Sequence, residues 1–502
     1  MSGTGDMGLQ NIAASAIPLS LNRNRRNRSR LFWWFTTLSS LFLILTAIFV
    51  NHQDGIRSYI SLWLSIVFVF MAFTVRWSYS AGLNRNYDIL EIPIYLSLFS
   101  LFLIQPFGLA PFIDNSYLAI PASESYLVSG LLLTGVGYTS MFLGYILVSK
   151  MNKTRVNHRS RGLFKTPSYF LTIIIYAGIF ILRLGLIAIG SGENVQTARV
   201  GGDLYQWLVY LIELRWFFLA LVSLQVFSRK WPSLLLILIL VIEALMSLTS
   251  GWSSLIPKIF LLVFGCYVYS KRRIPWRTLL PAASVVIALI IFSIPVSRDL
   301  REVIGESRGM TLSDITHSID QTWGKGIDNG VNLFWKLLVE RQTAIAQTPA
   351  ALMYLIPNNV QFLPVQDLIV APFTFIPRLI WPSKPIYTTI QTWITVTIFH
   401  GVEGSGSSPS TIVGNAYMYG GWLVVITGMF VLGGLAALIY RWLALPGLLS
   451  GDVGLLAVYA GVVIANFHLG EGDFVSLWQG LVQRTFVFLV LAIILCRNKR
   501  TS

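Results

Sequence analysis

Apolar runs of about 17 to 25 residues, each long enough to cross the core of a bilayer, recur along almost the whole chain. Hydrophobic residues make up 55% of the 502 and charged residues only 12%, against about 25% charged in an average globular domain. The runs lie at about 31–50, 58–75, 89–106, 125–149, 168–190, 204–227, 233–249, 254–270, 278–296, 422–441, 453–470 and 474–496. The sequence therefore predicts an all-α polytopic membrane protein with about 12 transmembrane helices.

Lysine and arginine are distributed unevenly between the segments that join these runs. One alternate set of short segments, which includes both ends of the chain, carries 23 of them, whereas the other short loops carry only Arg57, Arg199 and Lys258. Because cytoplasmic loops are enriched in Lys and Arg, we predict that both termini are cytoplasmic. Residues 1–30 then form a basic tail before an uncleaved anchor, since no small-residue cleavage site follows LNRNRRNRSR. The net charge of +15 is attributed to this topology rather than to nucleic-acid binding.

One long segment, 297–421, separates predicted helices 1–9 (31–296) from helices 10–12 and the cytoplasmic C-terminus (422–502). It is predicted to lie outside the cytoplasm, as a large loop with surface helices. Its first part alternates Arg298 and Arg301 with acidic residues. This pattern fits either a solvated helix of internal ion pairs or a set of site cations. An apolar stripe follows at Leu333, Phe334, Leu337 and Leu338, which indicates a helix at the membrane surface or against the bundle.

The stretch Leu352–Pro385 is apolar but is interrupted by six prolines. Proline inside a helix removes a hydrogen bond and clashes with the preceding turn, so this stretch cannot form a spanning helix. Irregular backbone survives at membrane depth only where protein buries it or water fills a cavity. We therefore predict a re-entrant segment in a cavity open to the outside, with Arg378 and Lys384 near the level of the headgroups.

Two further motifs follow before the tenth run. GVEGSGSSPST, with His400 and Glu403 at or before its start, is a flexible lid or a plain surface loop, and these two side chains are candidate acid–base groups. GNAYMYGGW holds Asn415 and Tyr417. Its aromatic residues fit an interfacial belt or a surface that stacks on a sugar ring.

Ionisable residues also lie within or near the ends of the apolar runs. They are Arg183, Glu213, Arg215, Glu243, His468 and Arg484. Charges at such depth are costly and usually pair with one another or face a cavity. Arg215 and Arg199 could face the outer cavity together, and internal ion pairing is the alternative for each residue.

Several cations at headgroup depth suit a lipid diphosphate, because arginine matches phosphate geometry and lysine supplies a point charge. Such a site could stabilise the leaving diphosphate without a metal. Arg378 and Arg298 are the candidate catalytic cations, with Glu403 or His400 as the base. Lys384, Arg301, Arg199, Arg215, Tyr417 and Asn415 are the candidate substrate-binding residues. Neither a DxD-type motif nor HExxH nor a P-loop occurs, so neither a metal nor a cofactor is expected.

The chain resembles the oligosaccharide repeat-unit polymerases of bacterial surface polysaccharides, the Wzy-type O-antigen polymerases. The resemblance rests on the topology and on IPRLIWPSKP (Ile376–Pro385), followed by Ser410, Gly414, Tyr417 and Gly420–Gly421. An R-x10-G pattern of some such polymerases also occurs, from Arg298 to Gly309. The chain departs from the family at Asn415, where relatives often carry an acid, so a base would then be Glu403 or His400.

This resemblance implies a metal-independent glycosyltransferase of the bacterial inner membrane. Its substrate would be an undecaprenyl-diphosphate-linked oligosaccharide, polymerised on the periplasmic side into a surface polysaccharide or O-antigen. Membrane lipid, a chain-length regulator and a flippase of the same pathway would be its partners, and nucleic acid would not. The alternatives are an O-antigen-ligase-like glycan transferase and a flippase or transporter of lipid-linked oligosaccharides. A transporter commonly shows internal repeats, and none is visible in this sequence.

Overall fold

Helices account for all the regular secondary structure in the part of the chain that the computed structural model describes. The described residues are 55–83, 100–113, 124–151, 168–188, 208, 211–249, 255–271, 276–304, 312–324, 326–373, 376, 381–383, 394, 410–466 and 472–496. Over these residues the predicted all-α fold class is confirmed.

Sixteen α-helices follow one another in these ranges. They are α1 (Gly55–Leu83), α2 (Ala110–Ile113), α3 (Glu124–Met151), α4 (Tyr169–Ala188), α5 (Arg215–Phe227), α6 (Ser233–Thr249), α7 (Leu255–Lys271), α8 (Trp276–Ile304), α9 (Leu312–Trp323), α10 (Ile327–Leu355), α11 (Gln366–Val370), α12 (Ile412–Met418), α13 (Gly421–Ile439), α14 (Leu445–Ser450), α15 (Val453–Ala465) and α16 (Phe474–Cys496). Short π-helical turns at Ser100–Ile104 and Tyr440–Ala444, and 3₁₀ turns at Gln105–Leu109 and Ala371–Phe373, join some of them.

Four helical stretches among the described residues are long and apolar enough to cross a membrane: Glu124–Ser149, Leu280–Leu300, Gly421–Leu448 and Phe474–Leu495. Shorter apolar helices cover Gly55–Phe70, Ser100–Phe112, Tyr169–Gly185, Ser233–Ser247 and Val453–Ala465. These helices overlap most of the predicted spans. The first predicted span and the residues 250–254, where the seventh and eighth predicted spans meet, lie outside the described residues, so the number of spans and the orientation of the termini stay predictions.

Glycine allows the closest helix contact of the fold, between α3 and α13. A Cβ atom at Gly144 would overlap the carbonyl oxygen of Phe430, and one at Gly433 would overlap that of Met141. Small residues let the backbones of membrane helices approach so closely. The two helices run parallel, because Gly137 contacts Val425 and Gly144 contacts Phe430. Their first turns therefore lie at the same end of the bundle.

Helix α10 packs its C-terminal half against the start of α3. Ala350 contacts Gly130, and the ring of Tyr354 meets that of Tyr126 edge-on at 5.4 Å between centroids. In its N-terminal half, Phe334 and Leu337 of the predicted apolar stripe are buried, whereas Leu333 is exposed. The C-terminal half of the helix therefore packs against the bundle, and its location at a membrane surface stays a prediction.

Helices α5 and α15 form the most buried part of the molecule. Every residue of α5 from Arg215 to Gln225 is buried, and so is every residue of α15 from Gly454 to Ala465. They touch where Gly461 meets the backbone of Phe217. Helix α16 packs beside α15, and Phe488 of α16 also reaches Phe217 with 6.3 Å between ring centroids. This three-helix unit supports the site described next.

Candidate functional site

The proline-containing stretch after α10 lies on helices α12 and α16. We call its described residues, 356–373, 376 and 381–383, the proline segment. The Leu363 amide donates to the Met418 carbonyl of α12 at 2.8 Å, and the Tyr417 hydroxyl of α12 donates to the Ile356 carbonyl at 3.4 Å. Since proline has no N–H group, a segment so rich in proline needs partners of this kind to fix its backbone.

Two side chains of α16 hold the second half of the proline segment. The Trp478 indole N–H donates to the Leu368 carbonyl at 3.1 Å, and the Gln483 amide donates to the Pro372 carbonyl at 3.2 Å. Gln479 Nε2 in turn donates to Gln483 Oε1 at 3.3 Å. The Gln483 amide therefore has both its ends engaged, and its NH₂ group is directed at the proline segment.

The polar residues of α16 form a stripe along one side of an otherwise apolar helix. Ser476, Gln479, Gly480, Gln483 and Arg484 follow one another at spacings of three, one, three and one, which is the repeat of one helix face. We call these five residues the polar stripe. One edge of the stripe meets the proline segment through Gln483, and the other edge meets the turn before α5 through Arg484.

Arg484 joins three parts of the chain in one charged cluster. Its guanidinium binds both carboxylate oxygens of Glu213, which lies in the turn before α5, and also Asn466 Oδ1 at the end of α15. Gly480 makes this possible, because a Cβ atom there would overlap Asn466 Oδ1 and crowd Arg484 Nη1. The side chains of Arg484 and Glu213 remain 13% and 16% exposed.

A second ion pair joins α4 and α6 and is closed to solvent. Arg183 Nη1 of α4 binds Glu243 Oε1 of α6 at 2.9 Å, and the two side chains are 1% and 3% exposed. The Tyr176 hydroxyl donates to the same carboxylate oxygen at 2.6 Å. The predicted binding residue Arg215 is also buried, and its guanidinium lies 4.9 Å from the centroid of the Trp216 ring.

The structure places four of the predicted site residues outside this cluster. Arg298 of α8 pairs with Glu340 of α10 at 3.5 Å, with 49% and 42% of the two side chains exposed. Arg301 belongs to the last turn of α8. Asn415 and Tyr417 are buried on α12, where Asn415 Oδ1 accepts from the Val475 amide of α16 at 3.2 Å. Both α12 residues thus contact backbone groups of the elements around them.

The remaining predicted residues, Arg378, Lys384, His400, Glu403, Arg199 and His468, lie outside the described residues. On either side of Arg378, Ile376 and Trp381 are each half-buried.

Two titratable groups near the proline segment have altered acidity. Burial raises the pKa of the Asp367 carboxyl above its ordinary value, because loss of water disfavours the charged form. Burial also raises the pKa of the Tyr417 phenol, and the neighbouring Tyr126 adds to this shift. Both groups are therefore shifted toward their neutral forms.

The sequence pointed to Arg484 and Glu213 as costly charges but left their partners open. Their connection to Asn466, and the roles of Gln479 and Gln483, were missed. The signal for the stripe was available, since its polar and small residues recur with the helical repeat between Ser476 and Arg484. The pairing of Arg484 with Glu213 could not be predicted, because the two residues lie 271 positions apart in the sequence.

Together, the apolar helices, the proline segment and the polar stripe define an all-α protein with helices able to cross a membrane and with a charged cluster among them. The chain belongs to the family described as Domain of unknown function (DUF8712), which matches residues 177–444, more than half of the chain. The match includes the proline segment and α12 and ends before α15 and α16. No curated protein and no solved structure matches the chain.

Proposed function

We propose that this protein is a membrane glycosyltransferase that polymerises lipid-linked oligosaccharide repeat units. The substrate is an undecaprenyl-diphosphate-linked oligosaccharide, and the product is a surface polysaccharide or O-antigen. The reaction takes place on the outer side of a bacterial inner membrane in which both termini are cytoplasmic. No metal or cofactor takes part in the proposed chemistry.

The observation that carries the proposal is the contact between the proline segment and the polar stripe of α16. A proline-containing stretch of short helical turns, fixed by Trp478 and Gln483, lies against the polar side of an apolar helix. Polar groups inside membrane helices usually line a path or a site. This combination fits an enzyme that draws the headgroup of a lipid substrate toward the helices while its polyprenyl chain stays in the bilayer.

The cations of this region suit the leaving diphosphate. Arg378 belongs to the stretch between Ile376 and Trp381, directly after the part of the proline segment that α16 holds. Its guanidinium is proposed to stabilise the charge that develops on the diphosphate when the glycosidic bond breaks. A sugar hydroxyl of the next repeat unit attacks the anomeric carbon, and His400 or Glu403 accepts its proton.

A mutation of Arg378 tests this function directly. In membranes supplied with lipid-linked repeat units and a chelator, we expect Arg378→Ala to reduce polymer formation by about a hundredfold, the size of effect expected from one lost oxyanion donor. The product ladder is read on a gel, with the amount of inserted protein measured in parallel. Arg277→Ala is the control, because Arg277 is an exposed arginine in the first turn of α8.

Undiminished polymer from Arg378→Ala would remove Arg378 from the mechanism. A wild-type protein that transfers a single glycan to another acceptor, without a ladder, would instead identify a ligase. Movement of intact lipid-linked units across the membrane, without transfer, would identify a flippase.

A further inference from the structure

The Gln483 side chain is buried on α16, and its hydrogen bonds include one to the proline segment. Its Nε2 atom donates to the Pro372 carbonyl, and its Oε1 atom accepts from Gln479. A buried amide normally has its hydrogen bonds satisfied, and here the partners are another element and another member of the polar stripe. The contact therefore links the polar stripe to one point of the proline segment.

Within the described residues, Pro372 is the last point of the proline segment that α16 holds before the stretch that contains Arg378. Earlier parts of the segment are fixed at Ile356, Leu363 and Leu368 by bonds to α12 and α16. Within the described residues, the Gln483 bond is the bond from α16 that lies closest in sequence to Arg378. The neighbouring Ala371 is buried in a small apolar cluster with Tyr419, Val424 and Val475.

Gln479 fixes which end of the Gln483 amide faces Pro372. A carbonyl oxygen accepts only, so Pro372 needs the NH₂ end of the amide. Because Gln479 donates its own N–H to Gln483 Oε1, the opposite orientation would bring two oxygens together at Pro372. Gln479 thus orients the Gln483 amide, and Gln483 holds the proline segment.

We propose that Gln483 is a positioning residue for the transferase reaction, with Gln479 as its orienting partner. Through its bond to Pro372, Gln483 holds the proline segment at a residue that lies six positions before Arg378 in the sequence. This inference rests on the proposed function, and it assigns a role to α16, which lies outside the region that the family match covers. Misplacing a catalytic group by about 1 Å can cost about a hundredfold in rate, so a single bond at this point can control the reaction.

The test combines a physical measurement with an activity measurement. Ala371→Cys introduces a thiol at a buried site of the proline segment, in a chain whose Cys266 is buried and whose Cys496 is replaced by serine. Labelling by a water-soluble maleimide then reports whether the segment is seated on α16. We expect Gln483→Leu to increase the labelling rate at least about tenfold and to lower polymer formation by up to about a hundredfold.

Two further variants keep the result interpretable. Gln479→Leu leaves the donor to Pro372 in place but removes its orienting partner, so it should give a smaller change in the same direction. Gln225→Leu is the matched control, because Gln225 of α5 is a buried glutamine whose amide atoms have no hydrogen-bond partner among the described residues. Both readouts should match the parent protein in that variant.

Unchanged labelling in Gln483→Leu and Gln479→Leu would overturn the inference. Faster labelling with undiminished polymer would also overturn it, because the segment would move without affecting the reaction. If the wild-type protein makes no polymer, the proposed function fails, and the labelling rates alone decide whether Gln483 holds the segment.

Discussion

Two of the ion pairs, Arg183–Glu243 and Arg484–Glu213, have the same chemistry but different surroundings. Arg183 and Glu243 are 1% and 3% exposed and are enclosed by α4 and α6, with Tyr176 on the same carboxylate. Arg484 and Glu213 are 13% and 16% exposed and lie beside the polar stripe. The first pair has little contact with solvent, whereas the second remains partly accessible.

This difference separates a packing element from a site. A charge taken from water loses several kcal/mol of solvation, and only a well-placed partner compensates for it. The Arg183–Glu243 pair therefore serves to hold α4 and α6 together. The Arg484–Glu213 pair stays partly exposed. Its neighbours Gly480 and Asn466 are arranged around the guanidinium. It holds α16 in place where the polar stripe meets the proline segment.

The largest expected effect comes from breaking the buried pair. Arg183→Leu leaves the Glu243 carboxylate without its cation, and we expect the free energy of unfolding to fall by about 3–5 kcal/mol. Arg484→Leu should cost less, about 1.5–3 kcal/mol, because Glu213 is partly exposed. Thermal unfolding in detergent, with size-exclusion chromatography as the readout, measures the stability of both variants side by side.

The double variant Arg183→Leu/Glu243→Leu is the control for this comparison, since removal of both charges should restore most of the lost stability. If Arg484→Leu proved as destabilising as Arg183→Leu, the distinction between a packing pair and an accessible pair would be wrong.

The fold class was predictable from the sequence, because apolar runs of sufficient length admit few structures other than helices. The need for ion pairing was predictable too, since Arg183, Glu213, Glu243 and Arg484 are costly among apolar residues. Their partners were not, because the helical repeat specifies a face of one helix but not the helix it meets.

The candidate site shows the same limit. The proline segment was recognisable from its composition, whereas its seat on α16 depends on Trp478 and Gln483, more than a hundred residues further along the chain. The burial of Asn415 and Tyr417 could not be predicted from the sequence either. Glycine and aromatic residues before an apolar run suit an exposed belt as well as a packed turn, and only the contact with Val475 shows which one formed.

An intermediate effect is expected when the space around Arg484 is filled. In Gly480→Ala the added methyl group overlaps Asn466 Oδ1, so α15 and α16 must separate or the cluster must break. Such overpacking costs about 1–3 kcal/mol, measured by the same thermal unfolding. Gly178→Ala is the matched control, because a Cβ atom at that position of α4 meets nothing within 4 Å, and alanine favours the helix. A loss of stability in Gly178→Ala equal to that in Gly480→Ala would mean that the space at Gly480 has no special importance.

The smallest effect concerns pH and Asp367, a carboxyl of the proline segment. Burial raises the pKa of Asp367 in the folded protein, so the folded state binds its proton more tightly than the unfolded state does. The stability contribution of this carboxyl is then greatest at low pH, and it declines as the pH rises from the ordinary aspartate pKa through the raised one. The asparagine of Asp367→Asn cannot ionise. The unfolding temperature of this variant should therefore fall less than that of the wild type across this interval and should be equal or slightly higher at neutral pH.

Unfolding scans at a series of pH values measure this difference, with Asp328→Asn in the exposed first turn of α10 as the control. A wild-type decline that persists unchanged in Asp367→Asn would assign the pH dependence to another group.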